Sequence, residues 1–438
     1  MLLCSTPEDA REALIQRLLR RYEDLLRRRL TSGPQTLEDI EREISEISSE
    51  LNKISQEEKI ADAVGVEFGH ACMCGKGHSA VLRSWNVKHL TTLHGKTAVR
   101  RAYYYCAQCK AGFCPADATL DIGVSEMSVG MQALVTRLSC YLPGRKAATE
   151  AELLTGVRLS HSTVQRVSKA AGEQLSRDWK ANEALLWSEK LPDPERKVKM
   201  LQTTMDGVMV FVGKQWREVK VGVAYERDEN AGVSRASYCA TLKPAADFGR
   251  MWHTLNHVAG AGKTNNVGVV ADGAGWIWNE VGKYRPGSVQ ILDNIHGLEH
   301  IWNVAYARFG QGSTEAAEWM EVQKDRLSKD EVDKVIRDIR YWRPKAEGKK
   351  EIRRVELAYI KTHRNRMLYQ TFKEQGYHIG SGVVEAANKN VVQARMKRAG
   401  MRWEEPGAEA QLQLLTTWHT SQFTDFAEIC KRATKVVA

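Results

Sequence analysis

The 438-residue chain lacks any apolar run approaching the ~20 residues needed to span a bilayer. Its opening, Met1 to Thr6, lacks the basic segment and apolar core of a secretory signal, so a cytoplasmic location is the expectation. No internal repeat is visible. Nine cysteines, an odd number spread over a long chain, argue against a disulfide framework and leave metal binding open. A phosphate-binding glycine loop is missing too. Gly260-Ala-Gly262-Lys263-Thr264 ends like one, but His257 stands where the pattern needs glycine and no apolar strand leads into it. What is present is an ordinary hydrophobic content of 43% and a net charge of +10. That balance favours a polyanionic partner without identifying it.

The chain reads as six segments. Residues 1–60 form a helical hairpin. Thr6-Pro7-Glu8-Asp9 has the N-cap, first-turn proline and acids of a helix start, and a second helix begins near Thr36. Ile40, Ile44, Ile47, Leu51 and Ile54 of that second helix make a heptad seam. The seam either packs on the first helix or forms a short coiled coil that dimerises the protein. Residues 65–120 are a cysteine-bearing module, and 121–195 are helical. Residues 198–300 change to strands: Lys199 to Val212, Trp216 to Tyr225, Val233 to Leu242, Val267 to Asp272 and Ser288 to Asp293, with helices among the later ones. A meander followed by alternating helix and strand predicts an α/β fold, a mixed sheet covered by helices. Residues 301–375 are helical and charged, and 376–438 close the chain.

In the cysteine module, Cys72-Met73-Cys74 precedes Cys106-Ala107-Gln108-Cys109. Paired thiolates on tight turns suit tetrahedral zinc, and two such turns on adjacent hairpins make a zinc ribbon. The first pair is spaced C-x-C, so His70, His78 or Cys114 can replace one member. Buried, reduced cysteines without metal are the other reading. With four protein ligands the role would be structural.

Gly144 to Gly156 reads as a helix ended by glycine. Val157 to Leu159 turns, Ser160 caps, and His161 to Leu175 forms the next helix. Leu153, Val157, Val164 and Val167 are expected to share a core. That leaves His161, Ser162, Thr163, Gln165, Arg166 and Lys169 facing outward, suited to a major groove as in a helix-turn-helix. Any pair of packed helices with a short turn gives a similar pattern.

Three acids carry the strongest signal. Asp206 lies inside a strand-like run, Asp272 ends another, and Glu385 opens a helix after Gly380-Ser381-Gly382. Carboxylates at the ends of buried strands are costly without a cation. Carboxylates brought together from separate elements can hold two divalent ions, with Mg²⁺ or Mn²⁺ the hard cations expected. Taken singly, each acid also reads as a cap, turn or salt-bridge residue. Asp293 ends a further strand, and His296, Glu299 and His300 share one helix face; they form either a mononuclear site or the surroundings of the acids. Lys389, Arg395, Lys397, Arg398 and Arg402 follow Glu385, a density of cations suited to phosphates flanking a cut.

The order Met205-Asp206-Gly207, Trp216 to Lys220, Ala271 to Trp278, Asp293-Asn294-Ile295-His296 and Gly380 to Glu385 resembles bacterial insertion-sequence transposases. The group it resembles is the ISKra group, related to the Mutator-like DDE superfamily, over roughly residues 65–420. Arg395 to Trp403 is similar to that group as well. The resemblance implies a ribonuclease-H-like core with a helical insertion, preceded by DNA-binding modules. It implies Asp206, Asp272 and Glu385 as catalytic, Mg²⁺-binding acids with Asp293 and His296 beside them. Glu385 follows Asp272 by 113 positions, which leaves room for the insertion. Cys72, Cys74, Cys106 and Cys109 stand as the zinc ligands. The expected partners are double-stranded DNA, both element ends and target, and further copies of the chain in a dimer or larger assembly on the bacterial nucleoid. A metal-dependent nuclease on the same core, or a DNA-binding regulator with an inactive core, would carry similar sequence.

Overall fold

A computed structural model describes residues 7–64, 69–122, 125–194, 197–227, 232–421 and 424–435. The chain divides into two compact units, 1–174 with 425–438, and 175–424. Among the described residues no helix is long and apolar enough to cross a membrane.

The first unit opens with helices α1 (Pro7–Arg29) and α2 (Leu37–Val64). They run antiparallel, pinned by Arg17–Glu58 at 3.0 Å and Arg21–Glu57 at 2.9 Å. Thr6, the expected cap, lies outside the described residues. Ile47 of the heptad seam is buried, whereas Ile40 and Ile44 stay exposed, so the hairpin uses the seam only over its second half. Strands β1 (Ala71–Met73), β2 (Ser79–Thr92), β3 (Gly95–Cys106) and β4 (Ala111–Phe113) then form an antiparallel sheet in chain order. Ile60 and Val64 of α2 pack on Leu90, Val99 and Ile122 beneath it.

Helix α3 (Pro115–Thr119) leads to α4 (Val129–Tyr141), α5 (Gly144–Thr155) and α6 (His161–Trp187). Gly156 ends α5 at φ 68°, and the Ser160 hydroxyl caps α6 by accepting the Thr163 N–H at 3.1 Å. Val157, Val164 and Val167 pack with Ala147, Ala148 and Ala151. Leu153 does not join them; it is 75% exposed. The alanine face lets α5 approach closely, and that turns Leu153 to the outside. α17 (Phe426–Lys435) returns to this unit, where Cys430 packs on Thr136 of α4.

The second unit is built on five strands: β5 (Leu201–Val212), β6 (Gln215–Arg227), β7 (Val233–Thr241), β8 (Val267–Ala271) and β9 (Val289–Leu292). Their spatial order is β7-β6-β5-β8-β9. The first three are antiparallel and the last two run parallel to β5. The fold is therefore mixed α/β, with a purely antiparallel sheet in the first unit and a mixed sheet in the second. The strands fall where the alternating and apolar runs were read.

α7 (Ala245–Asn256) and α8 (Gly275–Tyr284) cover one face through Phe248, Trp252, Ile277 and Val281 against Leu201, Met205 and Val269. α9 (Asn294–Phe309), α10 (Thr314–Leu327), α11 (Val332–Tyr341), α12 (Glu347–His363) and α13 (Tyr369–Glu374) share a second core with Val270 and Ile291. α14 (Gly382–Ala387) runs into a π-helical turn, Asn388–Gln393, and then α15 (Ala394–Met396). The helix expected to open at Glu385 is thus interrupted. α16 (Glu405–Thr420) packs on β7, where Gln413 donates to the Ala240 carbonyl at 3.0 Å.

Candidate functional site

Two clusters, one in each unit, have the chemistry of a site. In the first unit, Cys74 leaves β1 into a tight turn. Its N–H donates to the His78 carbonyl at 2.8 Å, and the Gly77 N–H to the Cys74 carbonyl at 2.8 Å. The turn sets the Cys74 thiol and the His78 ring side by side. Cys106 ends β3, and the Cys109 N–H points back to its sulfur at 3.4 Å. His78 Nδ1 is 3.2 Å and Cys74 Sγ 3.8 Å from Cys109 Sγ.

All four ligand atoms lie within 4.8 Å of one another, so this group could hold a metal ion. Three soft thiols and an imidazole match the donor set of tetrahedral zinc. Cys72 lies outside the group: it pairs with Ala80 inside the β1–β2 ladder, upstream of the turn. The C-x-C spacing is explained by His78 standing in the fourth position. The Lys76 backbone N–H lowers the Cys74 thiol to about 7, while burial pushes Cys109 up to about 11.

In the second unit the sheet register aligns the acids. Met205 pairs with Ala271, and Ala271 with Leu292, across three parallel strands. Asp206, Asp272 and Asp293 each follow one residue later. Three aspartates therefore continue one row across strands roughly 4.8 Å apart. Asp206 is partly buried and accepts from its neighbour Gly207 N–H at 2.7 Å and from Asn388 Nδ2 at 2.6 Å. Burial, and next the charge of Asp272, raise its carboxyl above the ordinary range. Asp272 accepts the Ala274 N–H at 2.9 Å, and its carbonyl accepts from Trp278 Nε1 at 2.9 Å.

Asp293 is fully buried and caps α9 by accepting the His296 N–H at 2.8 Å; its second oxygen accepts the Ser381 N–H. Ser381 Oγ in turn approaches Glu385 at 3.5 Å. Glu385 itself is exposed on α14. Tyr359 of α12 packs on Gly273, and its hydroxyl is raised by burial and by Asp272 and Asp293.

Asn388, Ser381 and Tyr359 were missed as site residues. Ser381 lies within Gly380-Ser381-Gly382, and Asn388 follows Glu385 by three residues, but no sequence signal marks Tyr359. Among the described residues, none of Asp206, Asp272, Asp293 and Glu385 forms an ion pair with lysine or arginine. The Cys/His group is the one set of three or more acid, cysteine or histidine ligands there whose atoms all lie within 4.8 Å; the four carboxyls do not converge that tightly.

His296 is within electrostatic reach of Asp206, but its ring meets Glu299 at 3.1 Å, whereas His300 meets Glu356 at 2.5 Å. The shared helix face therefore diverges instead of forming a mononuclear centre. A cleft of ≈ 550 Å³ elsewhere in this unit, lined by Trp179, Trp187, Arg250 and Glu409, contains none of the acids.

Of the candidate DNA-contacting residues, His161, Ser162, Gln165, Arg166 and Lys169 are exposed and Thr163 half-buried on α6. Lys389, Lys397, Arg398 and Arg402 are exposed. Lys397 lies over the Trp216 ring at 5.4 Å and Arg402 over Phe211 at 5.8 Å. Arg395 departs from expectation. It is buried with its guanidinium 5.1 Å over Trp403, so it braces the loop and does not face a ligand.

Fold and clusters together define a mixed α/β protein with a cysteine/histidine group able to hold a metal ion. The chain belongs to UPF0236, described as an uncharacterised protein family, which it matches over residues 76–430. It is also similar to the "UPF0236 protein in vanSb 3′region" of Streptococcus gallolyticus, 23% identical over 367 residues that cover 78% of this chain and 76% of that protein.

Proposed function

We propose that this chain is a metal-dependent DNA-cleaving and joining enzyme of the DDE transposase type. The observation that carries the reading is the in-register row of Asp206, Asp272 and Asp293, which among the described residues forms no ion pair with lysine or arginine. Buried or half-buried carboxylates without a counter-charge are costly, and a divalent cation removes the cost. Strand order β7-β6-β5-β8-β9, with three antiparallel strands and two parallel ones, suits a ribonuclease-H-like core. On this reading a helical insertion, α9 to α13, separates the second acid from Glu385.

The donor set fits Mg²⁺ or Mn²⁺, since all its atoms are carboxylate oxygens. Asp206 and Asp272 would hold the ions, with Glu385 completing the set. Bound there, the ions would activate the attacking oxygen and stabilise the leaving one. Asn388 and the Gly207 N–H donate to the Asp206 carboxylate and offset part of the effect of burial on its charge. Asp293 ties the start of α9 to Ser381 and thereby orients the turn that presents Glu385. Exposed Lys389, Lys397, Arg398 and Arg402 would hold the DNA backbone on either side of the scissile phosphate.

In the first unit, Cys74, His78, Cys106 and Cys109 would hold a structural zinc ion, and the polar face of α6 would meet DNA. DNA that flanks the gene, incubated with the purified protein and Mg²⁺ or Mn²⁺, should be nicked at the element ends and joined to target DNA. Asp206→Ala and Asp272→Ala should abolish both steps while leaving DNA binding intact. Full cleavage by Asp272→Ala would overturn the assignment.

A further inference from the structure

We infer that the outward face of the β2–β3 hairpin is a second nucleic-acid surface, shaped for the major groove of a duplex. This rests on the reading that the partner is DNA, but not on the cleavage chemistry. Residues 79–106 contain five lysines and arginines and no aspartate or glutamate. The strand register sorts them by face. Leu90, Thr97 and Val99 point into the unit and are buried. The inward Arg101 is taken up by Asp117. Outward stand Trp85, Val87 and His89 on β2, opposite Ala102, Arg100 and Ala98 on β3, with Lys96 near the turn.

Trp85 is 50% and Val87 54% exposed, an apolar strip that a solvated sheet face does not need. The Arg100 guanidinium lies 4.9 Å over the Trp85 ring, and Arg83, at the bulge, 5.9 Å over Tyr105. Among the described residues no carboxylate pairs with Arg83, Lys96 or Arg100. Uncompensated cations on a face with no acids of its own are complementary to a polyanion.

The shape narrows the polyanion to a duplex. A two-stranded ribbon fits the major groove, roughly 12 Å wide, when one face is free and the other is anchored in protein. β2 has 14 residues and β3 has 12. Arg83 and Lys96, at opposite ends of the face, stand on the order of 27 Å apart along the strands. That is close to one turn of B-DNA, roughly 34 Å, and places both on phosphates. Stacking on Trp85 fixes the plane of the Arg100 fork, which then presents two donors to a base edge.

The test uses the full chain and a fluorescein-labelled duplex of about 30 base pairs, followed by anisotropy between about 50 and 200 mM salt. Combined Arg83→Gln, Lys96→Gln and Arg100→Gln should weaken binding at least ~10-fold and lower the slope of log affinity on log salt by roughly 2–3, at about 0.9 per phosphate contact. Trp85→Ala should weaken binding with little change in slope. Wild-type affinity and slope in the triple variant, with unchanged melting, would overturn the inference. So would an equal loss on a single strand of the same sequence, which would make the face a stacking platform. If the wild type cuts no DNA but the triple variant still loses duplex binding, the surface stands and the cleavage reading falls. If cutting and binding both survive in the triple variant, the surface falls and the cleavage reading stands.

Discussion

Asp293 and Asp206 lie in one row but should respond oppositely when their charge is removed. Each Asp293 oxygen accepts a separate backbone N–H, from His296 and from Ser381, and the residue is fully buried. Asp293→Ala removes a helix cap, about 0.5–2 kcal/mol, and strands a second buried donor, about 1–3 kcal/mol. A loss of about 2–4 kcal/mol is expected. Asp293→Asn does not rescue this fully, because the new amide has one acceptor oxygen and its NH₂ must face the other N–H. It should still cost about 1–3 kcal/mol.

Asp206→Asn should be neutral or mildly stabilising, since burial and Asp272 already disfavour the charge. Among the described residues the buried Asn388 Oδ1 has no hydrogen-bond partner, so an amide flip lets it accept from the new NH₂. Urea melts followed by tryptophan fluorescence and circular dichroism give the three values. Asp293→Asn within about 0.5 kcal/mol of wild type, with Asp206→Asn losing more than about 2 kcal/mol, would refute the division into a strut and a functional acid.

Three further outcomes follow from the packing and charge. Elemental analysis should find one zinc per chain, lost in Cys109→Ser and His78→Ala but retained in Cys72→Ser; loss in Cys72→Ser alone would return the ligand set to two cysteine pairs. Burial holds both His253 and His363 at about 4, below the ~6.5 of the unfolded chain. The unfolded state therefore takes up protons that the folded state refuses as pH falls from about 6.5 to 4, and stability drops across that window but is unaffected above it. His253→Asn should flatten the pH dependence of the urea midpoint there, and an unchanged slope would contradict it. A Cβ on Gly222 would meet Cys239 Sγ at 2.9 Å, Trp252 at 3.1 Å and Phe248 at 3.2 Å. Gly222→Ala should cost about 1–3 kcal/mol in the same melts, and a neutral result would mean that α7 shifts without strain.

The strands of the second unit were legible because local pattern writes them. Val267 to Ala271 is a short apolar run, and Gly213-Lys214 marks the turn between β5 and β6. Gly156 and Ser160 likewise announced the end of α5 and the start of α6 through backbone chemistry that needs no tertiary partner. The positions of Asp206 within β5 and of Asp272 and Asp293 just past the ends of β8 and β9 were legible for the same reason.

Tertiary structure decided what a one-dimensional pattern does not encode. Leu153 was expected inside, but Ala147, Ala148 and Ala151 form the closer contact, and close packing outweighs the hydrophobicity of one side chain. Arg395 looked like its basic neighbours until Trp403 folded over it. His78 takes the place of Cys72 in the group because a four-residue turn, and not cysteine spacing, brings the side chains together. By itself the sequence determined which residues could carry charge or bind metal and which segments extend or coil. The register Met205–Ala271–Leu292 decided that three distant aspartates share one row, and the hydrogen bonds of Asp293 decided that one of them holds the others' scaffold together. Pairing between strands is a long-range choice fixed by the packing of both sheet faces, and that packing exists only in the folded chain.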